Sequence, residues 1–459
     1  MKKIFILCSI GALTILNGCQ NRLDVAPTQT IDQAQALNTS KDVEAALVGA
    51  YDGLQGSNTN GDTYAGGFQY TSELLAAVAT EVRFGGTFAN LQELFRKELT
   101  TINSTAEGLW LRSYLTINRA NNVLANISKV TDAKKPTVEG GARFIRGALY
   151  FELVRLYGKQ WGDGNNAVNL GVPIVLDPTS VVTDANKIPR NTVAQVYGQA
   201  IEDLTKAEEL LPATNLAYAS KSTAAAMLAR LYLQQGNYAA ARDAANRVIA
   251  SGRFRLVTPF GAAFNTKLNN NGANPAEYIF AVQVNDQDGF NGMNTFFGTT
   301  IGSIPGTAGR GDIRIQPAHI ALYEANDARG AFFIKPGANT FTYKFLDRFG
   351  HIPVIRLAEM ILTRAEANFR LGTAVGAAPL ADINAIRTRA GLSELATVSL
   401  AAILKERKLE LAFEGHALHD VKRNGENVGT LPFNSPKLIL PIPQREIDVN
   451  KQLVQNEGY

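Results

Sequence analysis

Cysteine is almost missing from this chain of 459 residues: there are two, Cys8 and Cys19, both within the first twenty positions. No disulfide and no cysteine-ligated zinc can staple the body beyond residue 20, so packing alone must hold it together. Histidine and tryptophan are also scarce, with four and two residues. Charge of one sign is not gathered anywhere. The 45 Lys and Arg and 41 Asp and Glu are spread without a basic block or an Arg-rich arm, which argues against nucleic acid as a partner. The 40 glycines follow no period, which excludes a collagen-like chain. What is there is globular: 46% hydrophobic and 19% charged residues, enough for one large domain or two intimate ones.

The N-terminus reads as an address. Lys2 and Lys3 precede an apolar run from Ile4 to Leu16, followed by Asn17, Gly18 and Cys19. That run is shorter than the roughly 20 residues a spanning helix needs, so a secretory signal is expected rather than a permanent anchor. Leu16-Asn17-Gly18-Cys19 resembles the bacterial lipobox, in which Cys19 becomes the lipidated first residue. Acyl chains each add about 0.8 kcal/mol per buried CH₂, enough together to keep the protein on a membrane. Residues 19–39, rich in Gln, Asn, Thr and Asp, suit a tether.

Helical patterning starts at Ser40, expected as N-cap, with Asp42 and Glu44 favouring the helix dipole. Thr192 to Gln195 is a capping-box start, after which Val193, Val196, Tyr197, Ala200, Ile201, Leu204, Ala207 and Leu211 recur at helical steps until Pro212. Small and aromatic residues around Leu228 to Tyr232, Gly236-Asn237-Tyr238, Ala241 and Ala245 predict a tetratricopeptide-like pair. The same logic recurs near residues 110–126 with 143–158, and near 356–372 with 379–390. Stacked pairs imply a helical solenoid, because one pair cannot bury both faces.

Residues 255–350 differ, being dense in Gly, Asn, Thr and Phe, with short strand-like runs such as Tyr278 to Val282. Residues 57–70 and 83–91 share this character. Such segments read as functional loops over a helical frame.

Ordered motifs along the chain resemble those of the SusD/RagB family of nutrient-binding lipoproteins of Bacteroidota. They include Leu23-Asp24-Val25-Ala26-Pro27, Trp110-x-x-x-Tyr114-x-x-Ile117-Asn118-Arg119-Ala120-Asn121, the block Ala142 to Gly158, Gly171-Val172-Pro173, Arg356-Leu357-Ala358-Glu359-Met360, Arg364-Ala365-Glu366-Ala367, Ile383 to Ala390, Glu406-Arg407-x-x-Glu410-Leu411, and the close Pro441-Ile442-Pro443 to Tyr459. The resemblance implies a mainly α fold of tetratricopeptide-like pairs forming a superhelical frame, with a large loop-rich region and short strands. It implies no enzyme and no cofactor. The implied role is a lid on a SusC-like TonB-dependent transporter at the outer membrane, facing the cell exterior and capturing oligosaccharide, or oligopeptide as in the RagB branch. The expected layout is a signal peptide over 1–18, lipidated Cys19 and tether over 19–39, and one SusD-like domain over 40–459. Within it the frame spans about 40–254 and 351–425, the ligand-facing insertion 255–350 and the closing segment 426–459. The family's Glu-Gly-x-Arg-x-x-Asp reads here Glu414-Gly415-His416-Ala417-Leu418-His419-Asp420, and Lys451 stands where Pro is usual.

Three groupings invite chemistry. His416-x-x-His419 beside Glu414 and Asp420 offers only two local nitrogens, too few for a metal site, so no metal is expected; His319 and His351 stand alone. Glu406, Glu410 and Glu414 at four-residue steps suggest a glycosidase acid pair, but neighbouring Arg and Lys favour ion pairing. A binder of oligomers needs aromatic faces with a polar rim. Trp110 is expected in the core, leaving Phe and Tyr to stack. The expected ligand residues, in the two regions from which the family builds its sites, are Glu81, Arg83, Phe84, Phe88 and Asn90, with Phe290, Phe296 and Phe297.

Overall fold

A computed structural model describes residues 37–55, 63–287 and 291–459. Cys19, expected as the lipidated residue, and most of the expected tether lie outside the described residues. None of the described helices is long and apolar enough to cross a membrane.

Helices α1 (Ser40–Gln55), α2 (Gly67–Ala76), α3 (Ala89–Arg96), α4 (Ser104–Ala125) and α5 (Lys135–Tyr157) lead into α6 (Val193–Leu210), α7 (Lys221–Gln234) and α8 (Tyr238–Ala250). The short α9 (Thr266–Asn270), α10 (Gly292–Phe297) and α11 (Pro317–Ile320) come next. Then come α12 (Leu357–Leu371), α13 (Pro379–Arg389), α14 (Leu400–Glu410), α15 (Ala417–Arg423) and α16 (Gln444–Val449). Packing runs α1 on α4, α4 on α5, α5 on α6, α6 on α7, α7 on α8, α8 on α12, and α12 on α13 and α14. This is the stacked frame that the periodicity implies.

Local signals explain the boundaries. Thr192 accepts from the Gln195 amide at 3.2 Å while the Gln195 side chain accepts from Thr192 N–H at 2.8 Å, closing the expected capping box. The start of α1 differs by one residue. Thr39, not Ser40, caps it, receiving the Asp42 amide at 3.3 Å and donating its own N–H to the Asp42 carboxylate at 2.8 Å. The Ser40 hydroxyl turns instead to Glu44, at 2.8 Å. Between α7 and α8 the tight turn uses Gly236 at φ +69°, and Asn237 caps α8 through the Ala240 amide. Trp110 is buried as expected, edge-on to Tyr157 at 5.2 Å; Trp161 is half-buried against Tyr197.

Three two-stranded ladders complete the described fold: β1 (Val82–Phe84) with β3 (Ile313–Ile315), β2 (Tyr278–Val282) with β6 (Ile352–Arg356), and β4 (Phe333–Ile334) with β5 (Phe341–Thr342), all antiparallel. The strand-like run Tyr278 to Val282 is thus a strand, but not a superficial one. Every residue of β2 and β6 is buried, so this part of the region 255–350 is core rather than overlay.

Candidate functional site

The β1–β3 ladder brings two remote loops together. Its registers are Val82 with Ile315, Arg83 with Arg314 and Phe84 with Ile313. Alternation across the pleat turns Val82 and Phe84 inward and Arg83 to solvent. Beyond β1 the chain must lie flat on its partner. A Cβ at Gly85 would fall 2.4 Å from the Arg314 guanidinium carbon, and one at Gly86 2.4 Å from the Asp312 carboxyl carbon. A side chain at either position would force the facing Arg314 or Asp312 side chain to move.

Past these glycines, extended Phe88 precedes α3 and is 42% exposed. The Phe296 ring meets it edge-on at 5.8 Å and Tyr70 backs Phe296 at 5.0 Å. The Arg310 guanidinium sits 4.7 Å above the Phe88 ring. It is held there by Nε donating to Asp312 Oδ2 at 2.9 Å and Nη2 donating to Thr87 Oγ1 at 3.2 Å. A partly exposed aromatic ring with a fixed cation over one face suits packing against a ligand ring.

Not every expected residue is on this surface. Phe84 is 4% exposed and Phe297 is fully buried, the first by β-strand alternation and the second by packing on Phe345 and Phe413. Neither presents a stacking face, which corrects their assignment to ligand contact. Asn90 is half-buried and joins helix starts: its side chain donates to Thr105 Oγ1 at 2.7 Å and its carbonyl accepts from Asn103 at 3.0 Å. Glu81 binds the Lys408 ammonium at 2.8 Å and faces His319 at 3.5 Å. The His319 ring and the Lys408 ammonium hold its carboxyl down to about 2. Phe290 lies outside the described residues. Sequence reasoning missed Arg310, Arg314 and Tyr70. The apolar-charged-apolar run Ile313-Arg314-Ile315 was the available signal, since such alternation marks a half-buried strand.

The other groupings resolve into structure. Glu406 accepts from Arg329 and Arg387, Glu410 from Arg356 and Arg389, and Glu414 from Arg356 and Lys344. All three carboxylates are buried in ion pairs and none faces a cleft as a glycosidase pair. His416 and His419 are both buried, and burial first, then nearby cations, push both rings well below the usual histidine range: Arg230, Arg407 and Arg155 for His416, and Arg155, Lys422 and Arg230 for His419. His319 and His351 are not isolated: His319 meets Glu81, and His351 Nδ1 lies 2.8 Å from Asn274. Among the described residues no group of three or more His, Cys, Asp or Glu is arranged to hold a metal. A cavity of about 320 Å³ opens elsewhere, beside Asn215, Leu216, Tyr218, Arg253 and Phe254.

Residues 23–233 match the family model SusD-like_3, described as "Starch-binding associating with outer membrane", and residues 342–434 match the SusD family model SusD_RagB. A SusD-like protein P2 of Formosa agariphila is 26% identical over the full length of both chains. The starch-binding protein SusD of Bacteroides thetaiotaomicron is 35% identical over 128 residues, 24% of this chain and 21% of that one. A solved SusD superfamily structure from Bacteroides thetaiotaomicron superposes with a TM-score of 0.77 at 25% identity, covering 91% of this chain and 99% of the other. One from Bacteroides vulgatus shares the fold, at TM-score 0.80 and 23% identity, over 92% and 99% of the two chains. The chain belongs to the SusD/RagB family, and its fold is mainly α.

Proposed function

We propose that this protein is a non-enzymatic, lipid-anchored binding protein of the outer-membrane surface. It captures oligosaccharides and hands them to a SusC-like TonB-dependent transporter. The observation that carries the binding role is the Phe88 face, exposed beside Arg310 and Phe296 where residues 81–90 and 291–314 converge. Family membership supports the location and ligand class, and the Leu16 to Cys19 lipobox supports the anchor. Capture by stacking asks nothing of an acid or nucleophile, in keeping with the ion-paired state of Glu406, Glu410 and Glu414.

An oligopeptide ligand is the second reading, favoured by one observation: Trp110 is buried and Trp161 half-buried against Tyr197, so a sugar platform rests mainly on Phe and Tyr. Calorimetric titration of the full detergent-solubilised chain with neutral and charged oligosaccharides and with mixed oligopeptides separates the two. Sugar binding weakened by Phe88→Ala supports the first; peptide binding alone moves the assignment to the second. Glycan turnover by the purified protein contradicts both. Co-purification from the native membrane with a TonB-dependent transporter tests the partner, and loss of membrane attachment in Cys19→Ser tests the anchor.

A further inference from the structure

The β1–β3 ladder carries an electrostatic conflict that folding alone does not require. Arg83 and Arg314 stand directly opposite each other. Facing residues of an antiparallel pair have Cβ atoms about 4.5–5.5 Å apart, and like charges there are destabilising. The other charges nearby are matched: Arg310 by Asp312, and Lys408 by Glu81. Among the described residues neither Arg83 nor Arg314 makes an ion pair, and the Arg83 side chain makes no hydrogen bond. Arg314 spends Nη2 on the Gly85 carbonyl at 3.3 Å, and its Nε is enclosed without a partner. Gly85 matters here a second time, because any side chain would strike that guanidinium and displace it. Two like-charged side chains therefore rise from facing positions on one side of the ladder, Arg83 exposed and Arg314 half-buried over Gly85, next to the loop that bears Phe88.

We infer that the ligand of this surface is an anionic oligosaccharide, its carboxylate or sulfate groups held by Arg83 and Arg314 while a neighbouring sugar ring lies on Phe88. An acidic group between the two guanidiniums removes their repulsion and accepts paired N–H donors, which the planar fork of Arg supplies for carboxylate and sulfate alike. Phe88 with Arg310 provides the apolar face that the ring needs. This inference rests on the binding role proposed above and adds the chemical class of its ligand.

The test is calorimetric titration of the full detergent-solubilised chain with matched probes. These are a galacturonic-acid octamer against its fully methyl-esterified twin, and a sulfated carrageenan oligomer against a neutral agarose oligomer of equal length. One acidic probe is expected to bind about tenfold or more tightly than its neutral twin, with the preference shrinking as salt rises; which pair responds tells carboxylate from sulfate. Arg83→Gln, at an exposed residue whose side chain makes no hydrogen bond or ion pair among the described residues, is expected to erase most of that preference with thermal melting unchanged or slightly raised, since one of two facing like charges is removed. Arg314→Gln is expected to act in the same direction. Equal binding of acidic and neutral twins, or a preference that survives both substitutions, overturns the inference while leaving the binding role standing. So does binding confined to an acidic peptide such as hexaglutamate, as regards the ligand class. If no oligosaccharide or peptide of any charge binds, the binding role itself fails, and the inference with it.

Discussion

Arg230 on α7 grips Glu359 on α12 in a two-point fork, Nε to Oε1 at 2.8 Å and Nη2 to Oε2 at 2.7 Å, with both side chains buried. The same Nη2 donates to the Val354 carbonyl of β6 at 2.6 Å, so one guanidinium ties a helix of the frame to the strand that leads into α12. Glu359→Ala leaves a buried cation without its anion and is expected to cost about 3–5 kcal/mol, whereas Arg230→Met with Glu359→Leu is expected to cost far less. Denaturant unfolding of the single and double variants reads this directly.

Phe84 and Phe88 lie four residues apart and play opposite parts. Phe84→Ala empties a packed site and is expected to lose about 3–5 kcal/mol of stability. Phe88→Ala is expected to leave stability within about 1 kcal/mol and to weaken ligand binding about three- to tenfold, as loss of one aromatic contact does. Melting curves and titrations on both variants give the four numbers needed.

Glu73 on α2 accepts the Gly415 amide at 2.8 Å and the Ala417 amide at 3.4 Å. Burial pushes its carboxyl from 4.5 up to about 7, against the pull of those N–H groups. Because the folded value is raised, the unfolded chain releases this proton first as pH climbs, and stability falls between 4.5 and 7. The penalty is absent below that window and complete above it, at about 3 kcal/mol. Glu73→Gln keeps an acceptor oxygen and removes the charge. Relative to the unchanged protein, its stability is expected to improve by up to about 3 kcal/mol between the acid and alkaline sides of this window, as followed by urea unfolding across pH.

Gly415 stands at φ +89°, and a Cβ there would approach the Gln69 backbone within 2.8 Å. Gly415→Ala is expected to cost more than about 1 kcal/mol, combining backbone strain with a clash against α2, and circular dichroism melts check it.

The helical frame was legible because its signals are local. Thr192 with Gln195 and the turn at Gly236-Asn237 mark helix ends through bonds a few residues long. The candidate site was legible only in part. Composition singles out Phe88 and Phe296, but Phe84 is misassigned by it because in a three-residue strand only the pleat decides which side chain turns inward. Which strand pairs with β1 is settled more than two hundred residues away, by Ile313 to Ile315. Arg310 and Arg314 acquire meaning from that pairing, and no spacing rule within either loop connects them to Phe88. The pairing of His319 with Glu81 is hidden from the sequence for the same reason.

The central claim is that ligand binds where residues 81–90 meet 291–314. Hydrogen–deuterium exchange of the full chain with and without a bound oligosaccharide tests it most directly. The account predicts slowed exchange in the Gly85 to Phe88 loop and around Phe296 and Arg310, with the rest of the chain unchanged. Protection confined to the cavity beside Asn215, Tyr218 and Phe254, with none at Phe88, would contradict it.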